Sequence, residues 1–294
     1  MKKFIIIFVA IVLFFSLIIG RCNDAEDAML YGDETCDEII EPSINQETDT
    51  IIINKDENEE LPQEQYVDNS VEIPAKSNSI SEQIIKKKAF TASYNQDTKC
   101  PNWVAWRLSS EHTDGPYKRM GNFHEEDKVP TPKATLLDYR GSGWSRGHMC
   151  PAGDNKWDEQ AMFESFSLVN VCPQNARLNS GVWNSIEMDC RKWAKRYGEV
   201  YIVCGPVYMN KEHEVIGENE VVVPEAFFKV VLCLTGKPKA IGIVVKNTEG
   251  TKKKDLYYNS VDQVEQITGI DFFSALPDDI ENKVESQADI NDWK

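Results

Sequence analysis

His148 is the residue in this sequence that is best suited to acid–base chemistry. Histidine has an ordinary pKa near neutrality, so it can take a proton from water at physiological pH. It lies in the stretch 139–154, YRGSGWSRGHMCPAGD, where three glycines and two arginines precede it. Arginine offers a planar, permanently charged fork that matches phosphate. The stretch therefore indicates a base beside an anion-binding group, although an isolated Arg-Gly-His tripeptide is also compatible with a structural histidine.

A second stretch, residues 166–187, supplies polar residues of the complementary kind. Together the two stretches resemble the DNA/RNA non-specific endonuclease family, and the resemblance extends from about Phe90 to the C-terminus. The matching residues are Arg146-Gly147-His148, Pro151, Asp154, Asn170, Pro173-Gln174, Asn179, Trp183 and Glu187. One position departs from the pattern, because Ser145 stands where the family usually has an aspartate.

The resemblance implies a ββα-metal (His-Me finger) active site. In such a site His148 is the general base, and Asn179 is the direct protein ligand of Mg²⁺, with Mn²⁺ as an alternative ion. Glu187 would hydrogen-bond water around the ion. One neutral oxygen ligand with several waters suits Mg²⁺, which gives up its waters reluctantly.

The resemblance also assigns roles to three further residues. Arg146 and Arg191 would hold phosphate oxygens, and Asn170 would orient the His148 ring. A site that contacts only phosphate and metal reads no base edges. We therefore expect hydrolysis of phosphodiester bonds in both DNA and RNA, with the substrate bound through its phosphate backbone.

Two other interpretations fit parts of the sequence. Ser145, which brings no negative charge, is compatible with a catalytically degenerate, exported nucleic-acid-binding protein. Cys150 or Cys172 near His148 is compatible with a hydrolase that uses a cysteine nucleophile, which requires a lowered thiol pKa. The presence of His148, Asn179 and Glu187 together argues against the first interpretation.

The charge of the chain is unevenly distributed. The whole sequence has a formal net charge of −16, which is unusual for a protein that handles nucleic acid. Residues 21–85 contain 3 Lys/Arg and 18 Asp/Glu, whereas residues 86–294 carry a net charge of only −3. A nearly neutral domain can still bind phosphate through a local basic cleft and a metal, but it lacks the broad electrostatic attraction of a strongly basic binder.

The N-terminal third of the chain predicts export rather than catalysis. Residues 1–21 begin with two lysines and continue with an apolar run, which is typical of a signal peptide or an N-terminal membrane anchor. Residues 22–85 are acidic and lack a sustained apolar period, so we expect a disordered spacer. The endonuclease domain is predicted over residues 86–294. The protein is accordingly expected to be secreted, periplasmic or attached to the membrane facing outward.

The pattern of apolar residues favours an α+β fold with a mixed, mainly antiparallel sheet and helices. Strands are predicted at residues 90–94, 103–108, 166–171, 199–204, 227–234 and 240–245. Helices are predicted at residues 154–163, 180–197, 255–269 and 280–290. The second helix is the clearest, with Asn179 or Ser180 as its N-cap and with Glu187 and Arg191 on one face.

Eight cysteines are present, and no pair of them has the Cys-x-x-Cys spacing of a zinc site. Export would permit disulfides, whereas buried free thiols are equally compatible with the sequence.

Overall fold

The computed structural model describes residues 70–77, 80–119, 121–251 and 253–294. The predicted signal or anchor segment and most of the predicted spacer lie outside these residues. Eleven strands occur in the described part of the chain: β1 (Gln83–Lys86), β2 (Thr91–Asn95), β3 (Cys100–Ser109), β4 (Ser145–His148), β5 (Val171–Gln174), β6 (Glu199–Val207), β7 (Val215–Ile216), β8 (Val221–Val222), β9 (Ala226–Cys233), β10 (Lys239–Lys246) and β11 (Tyr258–Asn259).

The α-helical segments are short, apart from one. They are α1 (Leu136–Tyr139), α2 (Glu159–Ser165), α3 (Ala176–Leu178), α4 (Asn184–Tyr197), α5 (Val261–Thr268) and α6 (Asp278–Glu285). The buried residues of α4 are Ile186, Cys190, Trp193 and Ala194, which recur at helical spacing and confirm the predicted apolar face. Among the described residues, no helix has both the length and the apolar character needed to cross a bilayer.

Seven strands form one antiparallel sheet in the order β1-β2-β3-β6-β9-β10-β11. Every residue of the central strand β9 is buried, because both faces of the sheet are covered. Successive side chains of β3 point to opposite faces of the sheet. Trp106 and Leu108 belong to a core shared with α4 and β5, whereas Trp103 and Ala105 belong to a second core shared with α5 and α6. The α+β class and the antiparallel sheet are confirmed.

The ordered domain begins earlier in the chain than the sequence predicted. β1 pairs with β2, so the sheet includes residues before the predicted domain start at residue 86. Val71 and Ile73 also pack against the second core. The predicted spacer, residues 22–85, therefore overlaps ordered structure at its C-terminal end, because this segment carries enough apolar side chains to add one strand and two contacts to the domain.

The predicted strand at residues 166–171 is wrong. Residues 168–170 form a 3₁₀ turn, and β5 begins only at Val171. Ser167 donates a hydrogen bond to buried Glu126, which fixes a turn where an apolar run alone favoured a strand. A short apolar run in a sequence is compatible with either a strand or a helical turn, and here the hydrogen bond between Ser167 and Glu126 favours the turn.

Helix boundaries differ from the predictions in two more places. The helix predicted at residues 154–163 starts at Glu159, because Asp158 caps it by accepting from the backbone NH of Ala161. The helix predicted at residues 255–269 is shorter, since α5 starts after the Ser260 capping box. It ends at Gly269, whose φ of +69° makes it the predicted left-handed cap.

The six described cysteines are buried free thiols, namely Cys100, Cys150, Cys172, Cys190, Cys204 and Cys233. Burial raises the pKa of Cys150 and of Cys172 well above the ordinary thiol value. Both thiols are therefore protonated at neutral pH, which disfavours the cysteine-nucleophile interpretation.

Candidate active site

His148 is the last residue of β4, which pairs with β5 in a separate two-stranded sheet. The pairing brings Gly147 opposite Cys172, and a Cβ added at Gly147 would lie 2.3 Å from the side-chain oxygen of Gln174. The glycine of the Arg-Gly-His motif is thus required by the close packing of Gln174. β4, β5 and the helix that follows them form the predicted ββα unit.

The His148 ring lies between two aromatic side chains and is only 6% exposed. Its centroid is 5.0 Å from that of Phe123 and 4.9 Å from that of Phe166, which meets it edge-on. Within the described part of the chain, the buried Nε2 atom has no protein hydrogen-bond partner. Burial, assisted by the positive charge of Arg119, lowers the pKa of His148 to about 3. The ring is therefore neutral at physiological pH.

His148 faces a cleft of about 490 Å³. Asn179, Glu187 and Arg191 line the same cleft, so the fold brings four of the six predicted site residues together. The remaining lining residues are Arg119, Pro151, Ala152, Gly153, Lys156, Met162, Ser180 and Asn184.

Asn179 lies at a π-helical turn, residues Asn179–Trp183, between α3 and α4. Gly181 has a non-helical backbone conformation within this turn. The predicted N-cap at Asn179 or Ser180 is wrong, because Asn175 caps the helix by accepting from the backbone NH groups of Arg177 and Leu178. Asn179 needs no capping bond, and its side chain lines the cleft. Single π-turns inside helices frequently occur at functional sites.

Glu187 lies two turns further along the same helix. Burial raises the pKa of its carboxyl group to about 7, and the charge of Lys229 opposes that shift. Lys229 is fully buried, with its ammonium group 4.8 Å from the Trp106 ring and 5.1 Å from the Trp183 ring. A buried cation therefore lies behind the cleft, and sequence reasoning missed it.

Arg191 does not rely on Glu187 for its position. Its Nη1 donates to Oδ1 of Asp154 at 2.7 Å, and Oδ2 of Asp154 accepts from Nε1 of Trp106 at 3.2 Å. A Cβ at Gly153 would lie 2.8 Å from Nη1 of Arg191, so glycine is needed for this approach. The Asp154 carboxylate thus anchors Arg191 from behind while the guanidinium faces the cleft.

Asn170 makes no hydrogen bond to the His148 ring among the described residues. Its side chain accepts from the backbone NH of Cys150 and donates to the carbonyls of Cys150 and Ser165, each at 2.8 Å. All of its amide hydrogen bonds are therefore made to the backbone, and none goes to the His148 ring. Asn170 holds the segment that follows His148, so it acts on the ring only through the main chain.

Arg146 is not among the residues that line the cleft. Its guanidinium lies 4.9 Å from the Phe123 ring, so the structure does not bring it together with the predicted site residues there. Arg119 lines the cleft instead, with its guanidinium 5.7 Å from the Phe166 ring. Sequence reasoning missed Arg119 because it lies in a loop without a motif, about 30 residues before His148.

Comparison with known proteins places this site in a family. A model of the DNA/RNA non-specific endonuclease family matches residues 68–279, which is most of the chain. The chain belongs to that family. The match includes every predicted site residue, and it begins before the start predicted at residue 86, in agreement with the position of β1.

Individual endonucleases of the family are similar over the same region. The chain is 39% identical to "Nuclease EXOG, mitochondrial" of Xenopus laevis over 63% of this chain and 57% of that protein. It is 30% identical to "Nuclease" of Nostoc sp. over 70% of this chain and 78% of that protein. The chain thus spans less than two thirds of the length of the EXOG relative.

A solved structure of the family has the same fold. The crystal structure of the EndoG/EndoGI complex, described as showing the mechanism of EndoG inhibition, superimposes with a TM-score of 0.65 and 27% sequence identity. The superposition covers 70% of this chain and 89% of that chain. The α+β fold predicted from sequence is therefore the fold of this endonuclease family.

Proposed function

We propose that this protein is a metal-dependent endonuclease that hydrolyses phosphodiester bonds in DNA and RNA without sequence preference. The observation that carries the proposal is the unpartnered Nε2 atom of a neutral, buried His148 in the same cleft as Asn179 and Glu187. Family membership supports the same reaction class.

The oxygen donors of the cleft fit a hard divalent cation. Asn179 offers a neutral amide oxygen and Glu187 a carboxylate, and the cleft has room for the waters that Mg²⁺ keeps. We propose Mg²⁺, with Mn²⁺ as an alternative, held by Asn179. When bound, the ion supplies a positive charge that stabilises the negative charge of the transition state and of the leaving oxygen.

His148 acts as the general base in this proposal. Its Nε2 takes the proton of an attacking water, and the apolar contacts with Phe123 and Phe166 keep the ring fixed and neutral beforehand. Glu187 accepts hydrogen bonds from water near Asn179 and keeps that water oriented.

Arg191 and Arg119 bind the phosphate. Arg191 is held rigidly by Asp154, so its remaining donors reach the cleft at little entropic cost. Arg119 is exposed and adjusts to the strand. Since both groups contact phosphate, neither reads a base edge.

We further propose that the protein acts outside the cytoplasm. This rests on the basic start and apolar run of residues 1–21, which are typical of a signal peptide or an outward-facing membrane anchor. Fractionation of cells that produce the full-length chain tests it, and recovery of the protein only in the cytoplasm would contradict it.

The test of activity uses the full-length chain with supercoiled plasmid and with RNA, each in Mg²⁺ and in EDTA. We expect cleavage of both polymers in Mg²⁺ only, and its loss in His148→Ala. His112→Ala is the matched control, because His112 stacks on Trp157 outside the cleft and should leave cleavage intact. Binding of DNA without cleavage by the wild type would favour the degenerate nucleic-acid-binding protein instead.

A further inference from the structure

Three carboxylates converge on the sheet face that lies opposite the cleft. Asp262 and Glu265 are three residues apart on α5 and so share one side of that helix. Glu285, the last residue of α6, joins them from the neighbouring helix. One carboxylate oxygen from each residue lies within 4.8 Å of the other two. Three carboxylates this close together repel one another when all are ionised.

The state of Glu285 indicates what kind of partner is needed. Glu285 is only 5% exposed, and its Oε1 atom is buried without a hydrogen-bond partner in the described part of the chain. A buried carboxylate oxygen without a partner is strongly unfavourable. Burial, together with the charges of Glu265 and Glu281, raises the pKa of Glu285 to about 9. The charged groups around Glu285 are therefore negative, whereas a positive charge would stabilise its ionised form.

We propose that Asp262, Glu265 and Glu285 form a binding site for a divalent cation of the Ca²⁺ type, separate from the active site. Ca²⁺ binds oxygen ligands at about 2.3–2.6 Å, so two of its ligands are at most about 5 Å apart. The 4.8 Å limit on the oxygen separations falls within that range. Mg²⁺ usually keeps several waters and is held by only one or two carboxylates, whereas three convergent carboxylates suit Ca²⁺.

One carboxylate of the site is already fixed in place. Oε1 of Glu265 accepts a hydrogen bond from the backbone NH of Phe272 at 2.7 Å, which holds the side chain and leaves its second oxygen for the ion. Phe272 itself is buried in the core of this sheet face. A cation at this site would therefore be held by the folded core and not only by surface side chains.

The cation would join α5 to α6. These helices contribute Val264 and Val284 to the second core, and the carboxylates lie beside that contact. The ion would replace the repulsion between the three carboxylates with attraction to a common centre, so it would stabilise the C-terminal region of the fold. It would not touch His148 or Asn179, since these residues lie on the other face of the sheet.

The test measures the melting temperature of the full-length chain in Ca²⁺ at constant ionic strength. Asn179→Ala serves as the background, so that binding at the proposed catalytic position does not contribute. For a site with a dissociation constant of about 1 mM, 10 mM Ca²⁺ should raise the melting temperature by about 3–6 °C. Calorimetric titration with Ca²⁺ should show one site.

Glu285→Gln added to this background should abolish the shift and should not lower the melting temperature in EDTA, because glutamine is uncharged, like the Glu285 carboxyl group whose pKa is raised to about 9. Asp279→Asn is the matched control, since Asp279 is exposed on the same helix outside the group and should keep the full shift. If Glu285→Gln does not fold, Asp262→Asn gives the same comparison. An unchanged melting temperature in Ca²⁺, an equal shift in both variants, or an equal shift with Mg²⁺ would overturn the proposal.

Discussion

Replacement of Asp154 by asparagine should weaken the anchoring of Arg191 without changing the Arg191 side chain itself. The two oxygens of Asp154 accept from two different donors, Nη1 of Arg191 at 2.7 Å and Nε1 of Trp106 at 3.2 Å. An asparagine has the same shape but only one acceptor atom, so one of these donors would face an NH₂ group. Arg191 would lose its counter-charge in either orientation of the amide, and in one orientation it would also lose its hydrogen bond.

The magnitude follows from the burial of the pair. The Asp154 side chain is 2% exposed and that of Arg191 is 18% exposed. Removal of one partner from a buried ion pair costs about 3–5 kcal/mol. Because Arg191 borders the cleft and keeps some water, we expect the lower value, about 3 kcal/mol. In a domain of this size that corresponds to a fall of about 6–12 °C in melting temperature.

The assay combines thermal unfolding with plasmid-cleavage kinetics. Asp154→Asn should lower both the melting temperature and kcat/KM, since the guanidinium is no longer fixed toward the cleft. The control is Asp158→Asn, which makes the same chemical change in an exposed ion pair with Lys88 and leaves a residue that can still cap α2. If Asp154→Asn unfolds at the same temperature as Asp158→Asn, the anchoring argument is wrong.

Three further predictions follow from the active site. Gly147→Ala should destabilise the protein by about 1–3 kcal/mol in urea unfolding, because the new methyl group overlaps Gln174, and an unchanged midpoint would contradict the packing argument. Asn170→Ala should cost about 2–5 kcal/mol and lower kcat, because buried backbone groups after His148 lose their partners; full kcat in the folded variant would show that this segment does not position the ring. Finally, the unfolded chain binds a proton at His148 near pH 6.5, whereas the folded chain does so near pH 3, so stability should fall as the pH drops from 6.5 toward 4, by about 3 kcal/mol. His148→Gln should lack that part of the pH dependence of the melting temperature.

The sequence by itself determined the family, the fold class and the central residues of the site. His148, Asn179 and Glu187 could be found because they lie in two short stretches of the sequence, at the end of β4 and in the helix that follows Asn175, where local spacing sets their positions. The central strands and the apolar face of α4 were also predictable, because the spacing of apolar residues along the sequence indicates which side of a strand or helix is buried.

The tertiary structure alone decided which polar groups meet across the chain. Asp154 contacts Arg191, which is 37 residues away in sequence, and Trp106, which is 48 residues away. No local pattern predicts such contacts. The same reason explains the positions of Asn170 and Arg146. Asn170 is close enough to His148 to suggest contact with the ring, yet the course of the main chain points its amide at the backbone of Cys150.

Two arginines show most clearly that sequence spacing does not determine which side chains meet. Arg146 lies two residues before His148 on β4, so alternation places both side chains on the same face, yet the guanidinium of Arg146 lies over the Phe123 ring and does not line the cleft. Arg119 is distant in sequence, yet the fold places it in the cleft. Residue types and spacing thus specify the available chemistry, while the packing of distant segments decides which charges reach the substrate.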